Sequence, residues 1–348
     1  MIEKTIKGIK YRLDEENLTA EVIQKKGYEG DIIIPETVVL KKVAYRVTSI
    51  GEEAFYDCSS LTSIVIPDSV TSIEDCAFMN CSSLTSIVIP ESVTSIGYCA
   101  FRECSSLTSI VIPNGVTSIG YCAFDGCKSL TSIVIPNGVT SIRKWAFDGC
   151  SSLNSIVIPE SVTSIGKWAF RGCSSLKQDP TQEIEMSNFM YRLLKHNHLA
   201  MVIGYSGRSK TINIPSEINH EGVIYRVTSI GEEAFQCKSL TSIVIPNGVT
   251  WIGMDAFDGC KSLTSIVIPD SVTNIGEWAF SDCSSLTSIV IPESVKNIGD
   301  SAFFGCTTLT SIAFNGTKAQ WKEIDLGDDW NEEIPAKVVH CTDGDAEI

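Results

Sequence analysis

Apolar residues recur with a fixed spacing of 23 positions along most of this chain. Each copy follows the pattern L-x-x-I-x-I-P-x-x-V-x-x-I-x-x-x-A-F-x-x-C. Such a repeat predicts a solenoid, in which each copy forms one coil and stacks on its neighbours to bury an apolar face. The leucines that open the copies are Leu61, Leu84, Leu107, Leu130, Leu153, Leu176, Leu240, Leu263, Leu286 and Leu309.

Each copy predicts two short extended pieces followed by a turn. Residues 61–66 alternate between apolar and polar side chains and are rich in β-branched residues, which is typical of a strand. Pro67 ends that strand because it has no N–H group to donate. Residues 70–73 form the second extended piece, and a helical or 3₁₀ turn is expected to carry Ala77 and Phe78 inward.

A longer duplication, offset by 180 residues, lies over the short repeat. Residues 45–55 match residues 225–235 letter for letter. In the last part, Thr317 is the predicted N-cap of a short helix, and Trp321 is expected to cover the last coil. The predicted parts are a β-rich cap module over 1–46, a first repeat array over 47–176, a junction and second β-rich module over 177–226, a second repeat array over 227–314, and a C-terminal cap helix with an acidic tail over 315–348.

Ten of the 14 cysteines occupy one column of the repeat, with one of them a residue short of register. A disulfide-rich secreted domain is small and uses irregular spacings, so this column predicts buried, reduced thiols instead. Structural zinc is not expected because no CxxC pair is present. The column consists of Cys58, Cys81, Cys104, Cys127, Cys150, Cys173, Cys237, Cys260, Cys283 and Cys306.

A second column, two residues before the phenylalanine, varies between copies. On a helical turn this position lies about 200° from the inward phenylalanine, so its side chain is expected to face outward or toward the next coil. Cys76, Cys99 and Cys122 occupy it in three successive copies. We expect these three thiols to be reduced, and to be alkylated more readily than Cys104 because reactivity follows exposure.

Tryptophans stand at the same varied position in later copies, and one replaces a serine elsewhere in the repeat. Exposed tryptophans are enriched at the energetic centres of interfaces, so these residues are candidates for a ligand-binding surface. Packing of the indoles across neighbouring coils is the alternative. The candidates are Trp145, Trp168 and Trp278 in the varied column and Trp251 in the serine position.

The first strand of each copy predicts a second candidate surface. Alternation directs leucine and isoleucine inward and leaves serine and valine outward, so stacked strands about 4.8 Å apart would form a flat, uncharged, mildly apolar ribbon. The alternative is that serine and valine form an ordinary exposed sheet surface that binds no ligand. The ribbon consists of Ser63, Ser86, Ser109, Ser132 and Ser155 beside Val65, Val88, Val111, Val134 and Val157.

Charge and motifs exclude several classes of function. Lys and Arg number 27 against 42 Asp and Glu, a net charge of −15, which argues against nucleic acid and anionic membranes as partners. No apolar run approaches the ~18–20 residues of a membrane span. No catalytic, cofactor or metal motif is present, and His196 and His198 fit a solvated turn better than a metal site. An enzyme is therefore not expected.

The chain resembles the BspA-like leucine-rich repeat family. The resemblance rests on the CSSLTSIVIPxSVTSIGxxAF copies, on Y-R-V-T-S-I-G-E-E-A-F, and on the F-N-G-T-K-A-Q-W…C-T-D-G ending at residues 314–344. It implies a right-handed leucine-rich repeat solenoid with β-hairpin caps. It also implies a microbial surface or secreted protein that binds host matrix or cell-surface proteins.

The beginning of the sequence bears on where the protein is expected to act. Residues 1–5 lack the apolar core of a signal peptide. The expected location is therefore the cell surface or the medium if a signal peptide has been removed, and the cytoplasm otherwise. Non-catalytic binding of a protein is the leading hypothesis. An intracellular scaffold and a carbohydrate-binding module using the tryptophans are the alternatives.

Overall fold

The computed structural model describes residues 1–177 and 179–348, so Gln178 of the predicted junction lies outside the described residues. The chain divides into two compact units, Met1–Asp179 and Pro180–Ile348. Each unit begins with antiparallel strands and continues as stacked coils whose strands are parallel.

The first unit contains a β-rich start and two parallel ladders. Its strands are β1 (Ile2–Ile6), β2 (Ile9–Asp14), β3 (Thr19–Val22), β4 (Glu29–Ile33), β5 (Thr37–Leu40), β6 (Val43–Ile50), β7 (Ser60–Val65), β8 (Ser72–Ile73), β9 (Ser86–Val88), β10 (Ser95–Ile96), β11 (Ser109–Val111), β12 (Ser118–Ile119), β13 (Ser132–Val134), β14 (Ser141–Ile142), β15 (Ser155–Val157) and β16 (Ser164–Ile165). The longer coil strands pair in the orders β4-β7-β9-β11 and β13-β15. The two-residue strands form the other ladder together with the end of β6, in the orders β6-β8-β10 and β12-β14-β16.

The second unit repeats this plan. Its elements are β17 (Thr181–Met186), β18 (Phe189–Leu194), β19 (Leu199–Tyr205), β20 (Thr211–Asn213), β21 (Glu217–His220), β22 (Val223–Ile230), β23 (Ser242–Val244), β24 (Trp251–Ile252), β25 (Ser265–Val267), β26 (Asn274–Ile275), β27 (Ser288–Ile291), β28 (Asn297–Ile298), β29 (Ser311–Phe314), α1 (Lys318–Trp321), β30 (Asp325–Leu326), β31 (Val338–Cys341) and β32 (Gly344–Glu347). One sheet runs β17-β18-β19-β22-β24-β26-β28-β30, and the other runs β20-β23-β25-β27-β29-β31-β32. The predicted solenoid of short parallel strands is confirmed.

Equivalent residues of neighbouring coils lie side by side. Ser63 is in register with Ser86, and Ile64 with Ile87, so each position of the repeat becomes a row along the stack. The rows of leucine, isoleucine, valine, alanine and phenylalanine form the core of each coil. A residue that packs well in one coil therefore packs equally well in the next, which is how a quasi-one-dimensional fold gains stability.

The phenylalanine row is a continuous stack of rings. In the first unit its ring centroids lie 5.1–5.6 Å apart with interplanar angles of 1–7°. The rings are buried, as the sequence predicts. Tyr28 packs against Phe55 with a centroid distance of 4.7 Å and an interplanar angle of 43°, and so covers the first ring of the row.

The cysteine column is buried beside these rings over most of its length, as predicted. Each thiol from the second coil onward donates a hydrogen bond to the phenylalanine carbonyl of the preceding coil. Cys81 donates to Phe55 at 3.1 Å and Cys104 to Phe78 at 3.2 Å, and the row continues to Cys173. In the second unit the same bonds span 2.8–3.3 Å. A thiol fits this position because it is small, apolar and still able to donate.

The segment before each phenylalanine is a series of β-turns rather than the predicted helical or 3₁₀ turn. The N–H groups of Ala54 and Tyr56 donate to carbonyls three residues earlier, whereas those of Glu53 and Phe55 donate to the next coil at 3.0 and 2.7 Å. Glu53 has a φ of 54°, in the left-handed region. A right-handed helix cannot contain such a residue, and bonding between coils removes half of the donors that a helix would use.

The solenoid continues beyond residue 314, where the repeated pattern ends and a departure was expected. Strand β30 pairs in parallel with β28, and β31 pairs in parallel with β29. Trp330 takes the place of the next phenylalanine, and its ring lies edge-on to Phe303 at 6.1 Å. The carbonyl of Trp330 accepts the Phe303 N–H at 2.9 Å, so one more coil forms from an unrelated sequence.

The predicted C-terminal cap helix is present as the single turn α1. Thr317 is its N-cap and forms a capping box with Gln320. Trp321 is buried and packs edge-on against Phe314 of β29, with ring centroids 5.3 Å apart. Trp321 is thus buried as predicted, but β31 and β32 continue the sheet beyond β29, so the helix does not cover the end of the strand ladder.

Removing one ring from the phenylalanine row should weaken the array. Replacing Phe124 by Ala deletes a fully buried ring with neighbours on both sides. We expect a loss of about 3–5 kcal/mol in the free energy of unfolding, measured by urea denaturation. The control is Val134→Ala on the exposed strand surface, with an expected change within about 0.5 kcal/mol. An unchanged denaturation midpoint for Phe124→Ala would contradict the role of the stack.

The buried thiols should make the protein less stable at alkaline pH. Burial raises the pKa of Cys104, Cys173 and Cys260 from 9.0 to about 12. Between these values the unfolded chain has released protons that the folded chain still holds, so stability is lost as the pH rises through this range. We expect a lower urea midpoint at roughly pH 10 than at roughly pH 8. In Cys104→Ala the drop should be smaller, and an identical drop would refute the assignment.

Candidate interaction surface

The predicted ribbon of serine and valine lies on the exposed side of the longer coil strands. The valine side chains are between 53% exposed, at Val65, and 75% exposed, at Val88. Matching pairs lie in register, as Val111 does with Val88. Ser63 is half-buried because its hydroxyl donates to Asp31 at 2.6 Å, whereas the other four ribbon serines are exposed. The first unit thus brings the ten predicted ribbon residues onto one surface.

A row of threonines borders the ribbon and holds its edge rigid. The hydroxyl of Thr108 donates to the carbonyl of Thr85 at 3.2 Å, and that of Thr131 donates to Thr108 at 3.4 Å. Each hydroxyl therefore adds a second bond between coils beside the backbone N–H bond to the same carbonyl. The ribbon is consequently a preformed surface, and binding to it requires little ordering of the chain.

The exposed apolar row is longer than the predicted ribbon. Ile33 of β4 is 72% exposed and lies in register with Val65, so it extends the row toward the N-terminus. The second unit carries an equivalent row of exposed side chains on its own strands. The same S-I-V motif marks this row in the sequence, although the predicted ribbon covers only the first array. That row consists of Val244, Val267 and Val290.

The four candidate tryptophans do not share one environment. Trp168 is 42% exposed, Trp278 is similarly exposed, and Trp145 is half-buried. Trp251 is only 7% exposed, which corrects its assignment to a ligand-binding surface. It lies in β24 beside Ser229 of β22, which is also buried. Burying an indole removes much more apolar surface from water than burying the serine that it replaces.

The varied column has the same unusual backbone in every coil of both arrays. Its φ values are 51–59°, in the left-handed region that non-glycine residues seldom adopt. The outward orientation inferred from a helical turn is wrong for two of its cysteines, because Cys99 and Cys122 are buried and only Cys76 is partly exposed. The left-handed backbone redirects the side chain. A small thiol is then covered, whereas an indole extends to the surface.

Buried thiols and neighbouring side chains form one contact group in the middle of this column. The Cys122 thiol and the side chains of Tyr98 and Arg102 act on the ionisation of the Cys99 thiol, and all three lower its pKa. A proton donated by the Cys122 thiol would stabilise a thiolate at Cys99. This interaction therefore lowers the pKa of Cys99 and raises the pKa of Cys122. Arg102 also pairs with Asp125 at 3.0 Å.

Cations lie against the exposed aromatic rings of the last two coils of the first unit. The ammonium groups of Lys144 and Lys167 lie 4.3 and 4.5 Å from the ring centroids of Trp145 and Trp168. The guanidinium of Arg171 lies 5.3 Å from the Trp168 ring, and the two indoles stack at 5.8 Å. Cation–π attraction favours these positions of the cations, and Arg171 also forms an ion pair with Asp148. In the second unit Trp278 instead contacts a phenylalanine ring and follows a glutamate.

The described residues contain no group of three or more His, Cys, Asp or Glu side chains placed to hold a metal ion. His198 packs edge-on against Tyr225 at 5.8 Å, which gives it a place in the β-rich start of the second unit. Within residues 1–177 and 179–348, no helix has the length and apolar character that a membrane span requires.

Comparisons with known proteins found one matching family and several related solved structures. The BspA type leucine rich repeat region family matches six copies within residues 48–177 and 228–324. A leucine rich cell surface protein from Faecalibacterium prausnitzii A2-165 is 32% identical, covering 93% of this chain and 98% of its own, with a TM-score of 0.44. A leucine-rich repeat protein from Bacteroides ovatus ATCC 8483 is 28% identical, with 97% and 94% covered and a TM-score of 0.37. No curated protein matched.

Timed alkylation should separate the cysteines by access. Cys76 and Cys341 are partly exposed, whereas Cys99, Cys104 and Cys122 are buried. Iodoacetamide labelling read by mass spectrometry should therefore modify Cys76 and Cys341 well before the other three, because a thiolate reacts only where reagent reaches it. Urea-unfolded protein is the control, in which all five should label at similar rates. Rapid labelling of Cys99 in the folded protein would show that its column faces solvent.

Proposed function

The chain belongs to the BspA-type leucine-rich repeat family, and on that premise we propose that it is a non-catalytic, protein-binding solenoid of a bacterial surface. Its ligand is a protein of the host matrix or of another cell's surface. The ligand lies across the ribbon of exposed valines and serines, where several coils contact it at once.

The observation that carries this proposal is the exposed apolar row on a rigid sheet. Five successive coils of the first unit each expose a valine by more than half of its surface. Soluble proteins seldom leave contiguous apolar surface uncovered unless a partner uses it. Parallel coil strands and threonine bonds fix this surface before binding, so its apolar area can contribute to affinity with little entropic cost.

A surface location is the natural place for such a protein. The F. prausnitzii protein, 32% identical to this chain, is described as a cell surface protein. Fractionation of cells that express the native gene product distinguishes this location from that of an intracellular scaffold.

A carbohydrate-binding role for the tryptophans is less well supported, because Lys167, Arg171 and Trp145 already lie against the Trp168 ring that a sugar would stack on.

Charged substitutions on the ribbon should abolish binding without unfolding the protein. We expect Val88→Lys combined with Val111→Lys and Val134→Lys to reduce capture of host matrix and cell-surface proteins at least about tenfold, because each lysine places a charge in the apolar contact. Capture on a panel of immobilised proteins measures the effect. The side chains are already exposed, so the urea midpoint should change little.

Val39→Lys is the matched control for that experiment. Val39 is 59% exposed, close to the 63% of Val134, but it lies on β5, away from the ribbon. It should bind like the parent protein. Equal binding by the parent and the triple variant would show that the ribbon is not the binding surface.

A further inference from the structure

The turn face of the first unit carries an ordered change of charge. We define this face as the segments that precede the six stacked phenylalanines. The N–H of Glu53 donates to the carbonyl of Asp75, and that of Trp145 donates to Lys167, so the segments follow one another coil by coil. Neighbouring coils lie about 5.1–5.6 Å apart at their rings. Three residues before each phenylalanine the row is Glu52, Asp75, Tyr98, Tyr121, Lys144 and Lys167.

The first two coils of this face are acidic. Glu52, Glu53, Glu74 and Asp75 are exposed and line a cleft of about 690 Å³. Two cations of the same cleft are already paired with other carboxylates of the β-rich start. Among the described residues, 1–177 and 179–348, no cation forms an ion pair with these four carboxylates. This end of the face therefore holds a concentration of negative charge in a concave surface.

The last two coils of the face are basic and aromatic. Lys144 and Lys167 lie against the indoles of Trp145 and Trp168, and Arg171, which pairs with Asp148, also lies against Trp168. Residues 98–177 contain seven Lys and Arg against four Asp and Glu, in a chain whose net charge is −15. Interfaces favour aromatic residues and arginine, and stacked indoles project from the surface as anchors.

We propose that two copies of this chain associate through their turn faces in an antiparallel arrangement about a two-fold axis. The axis passes between the coil of Tyr98 and the coil of Tyr121. The basic fifth and sixth coils of each copy then face the acidic second and first coils of the other. Lys144, Lys167 and the indoles enter the partner copy's acidic cleft, and the tyrosines meet at the centre.

The proposal follows from the order of charges rather than from their number. A two-fold interface is isologous, so each contact occurs twice and the surface must complement itself after reversal. A row that runs from acidic through neutral aromatic to basic has this property. A parallel arrangement would instead oppose like charges at both ends, which costs stability.

The large negative charge of the whole chain does not prevent this association. The Debye length is about 8 Å at physiological ionic strength, so charges outside the interface are largely screened. Ion pairs formed within a partly desolvated cleft are screened much less. This inference concerns a surface different from the valine ribbon, and either proposal can fail without the other.

Sedimentation of the full chain at several concentrations tests the dimer. We expect a reversible dimer in about 0.1 M NaCl whose dissociation constant is at least tenfold higher in about 1 M NaCl, because salt weakens the charge pairs.

Lys144→Glu with Lys167→Glu should weaken the dimer at least about tenfold, and Glu52→Lys with Asp75→Lys should do the same. Lys41→Glu with Lys42→Glu, an equal charge change in the exposed β5–β6 turn, should leave it unchanged.

Mixing the two weakened variants is the decisive measurement. Each variant alone places like charges opposite each other at both ends of the row that contains Glu52, Asp75, Lys144 and Lys167. In the mixed pair both ends are again complementary, so dimers should re-form from two proteins that fail separately. This recovery also shows that both variants are folded. A parent chain that stays monomeric up to about 100 µM, a dimer insensitive to these substitutions, or no recovery on mixing would each overturn the proposal.

Discussion

The carbonyl group of each stacked phenylalanine is the point on which the packing of both arrays depends. The Phe55 carbonyl accepts the backbone N–H of Cys58 in its own coil and the thiol of Cys81 in the next. Both of its lone pairs are thus used inside a core that water does not reach, where an unmet acceptor would cost about 1–3 kcal/mol. The bonds require neighbouring coils to keep the same height and register. The rings can then stack at a nearly constant spacing, and the repeat must keep phenylalanine and cysteine three residues apart.

The same constraint explains the left-handed residue in every coil. Alternate N–H groups of the turn segment point toward the next coil, and a left-handed residue is what reverses their direction. Glu53 and Trp145 adopt this conformation although neither is glycine. A left-handed residue costs about 1–2 kcal/mol, and its N–H bond to the next coil offsets that cost. The backbone conformation at this position is therefore constrained, whereas the type of side chain is not. Acidic, aromatic, thiol and small side chains all occur there.

Periodicity was sufficient to predict the solenoid, the inward rows and the outward ribbon, because identical copies have only one way to stack like on like. It was not sufficient where a side chain depends on backbone conformation or on non-repeated neighbours. Cys99 was misplaced because the A-F-x-x-C spacing suits a helical turn as well as a left-handed one. Trp251 was misplaced because its burial depends on the particular coils around it. The coil containing Trp330 was missed because tryptophan replaces phenylalanine there at a different spacing.

A repeat that is uniform along one face carries no information about position along that face. A partner that contacts only the valine ribbon meets nearly the same surface at Val88, Val111 and Val134, so shifting by one coil changes its binding energy little. Specific recognition requires the alternatives to differ in energy. On the turn face the side chains change along the stack, from acidic at Glu52 through tyrosine to basic at Lys167, and this change gives that face a direction. The ribbon is therefore suited to affinity through repeated contacts, and the turn face is the surface of the first unit that can fix a partner's register.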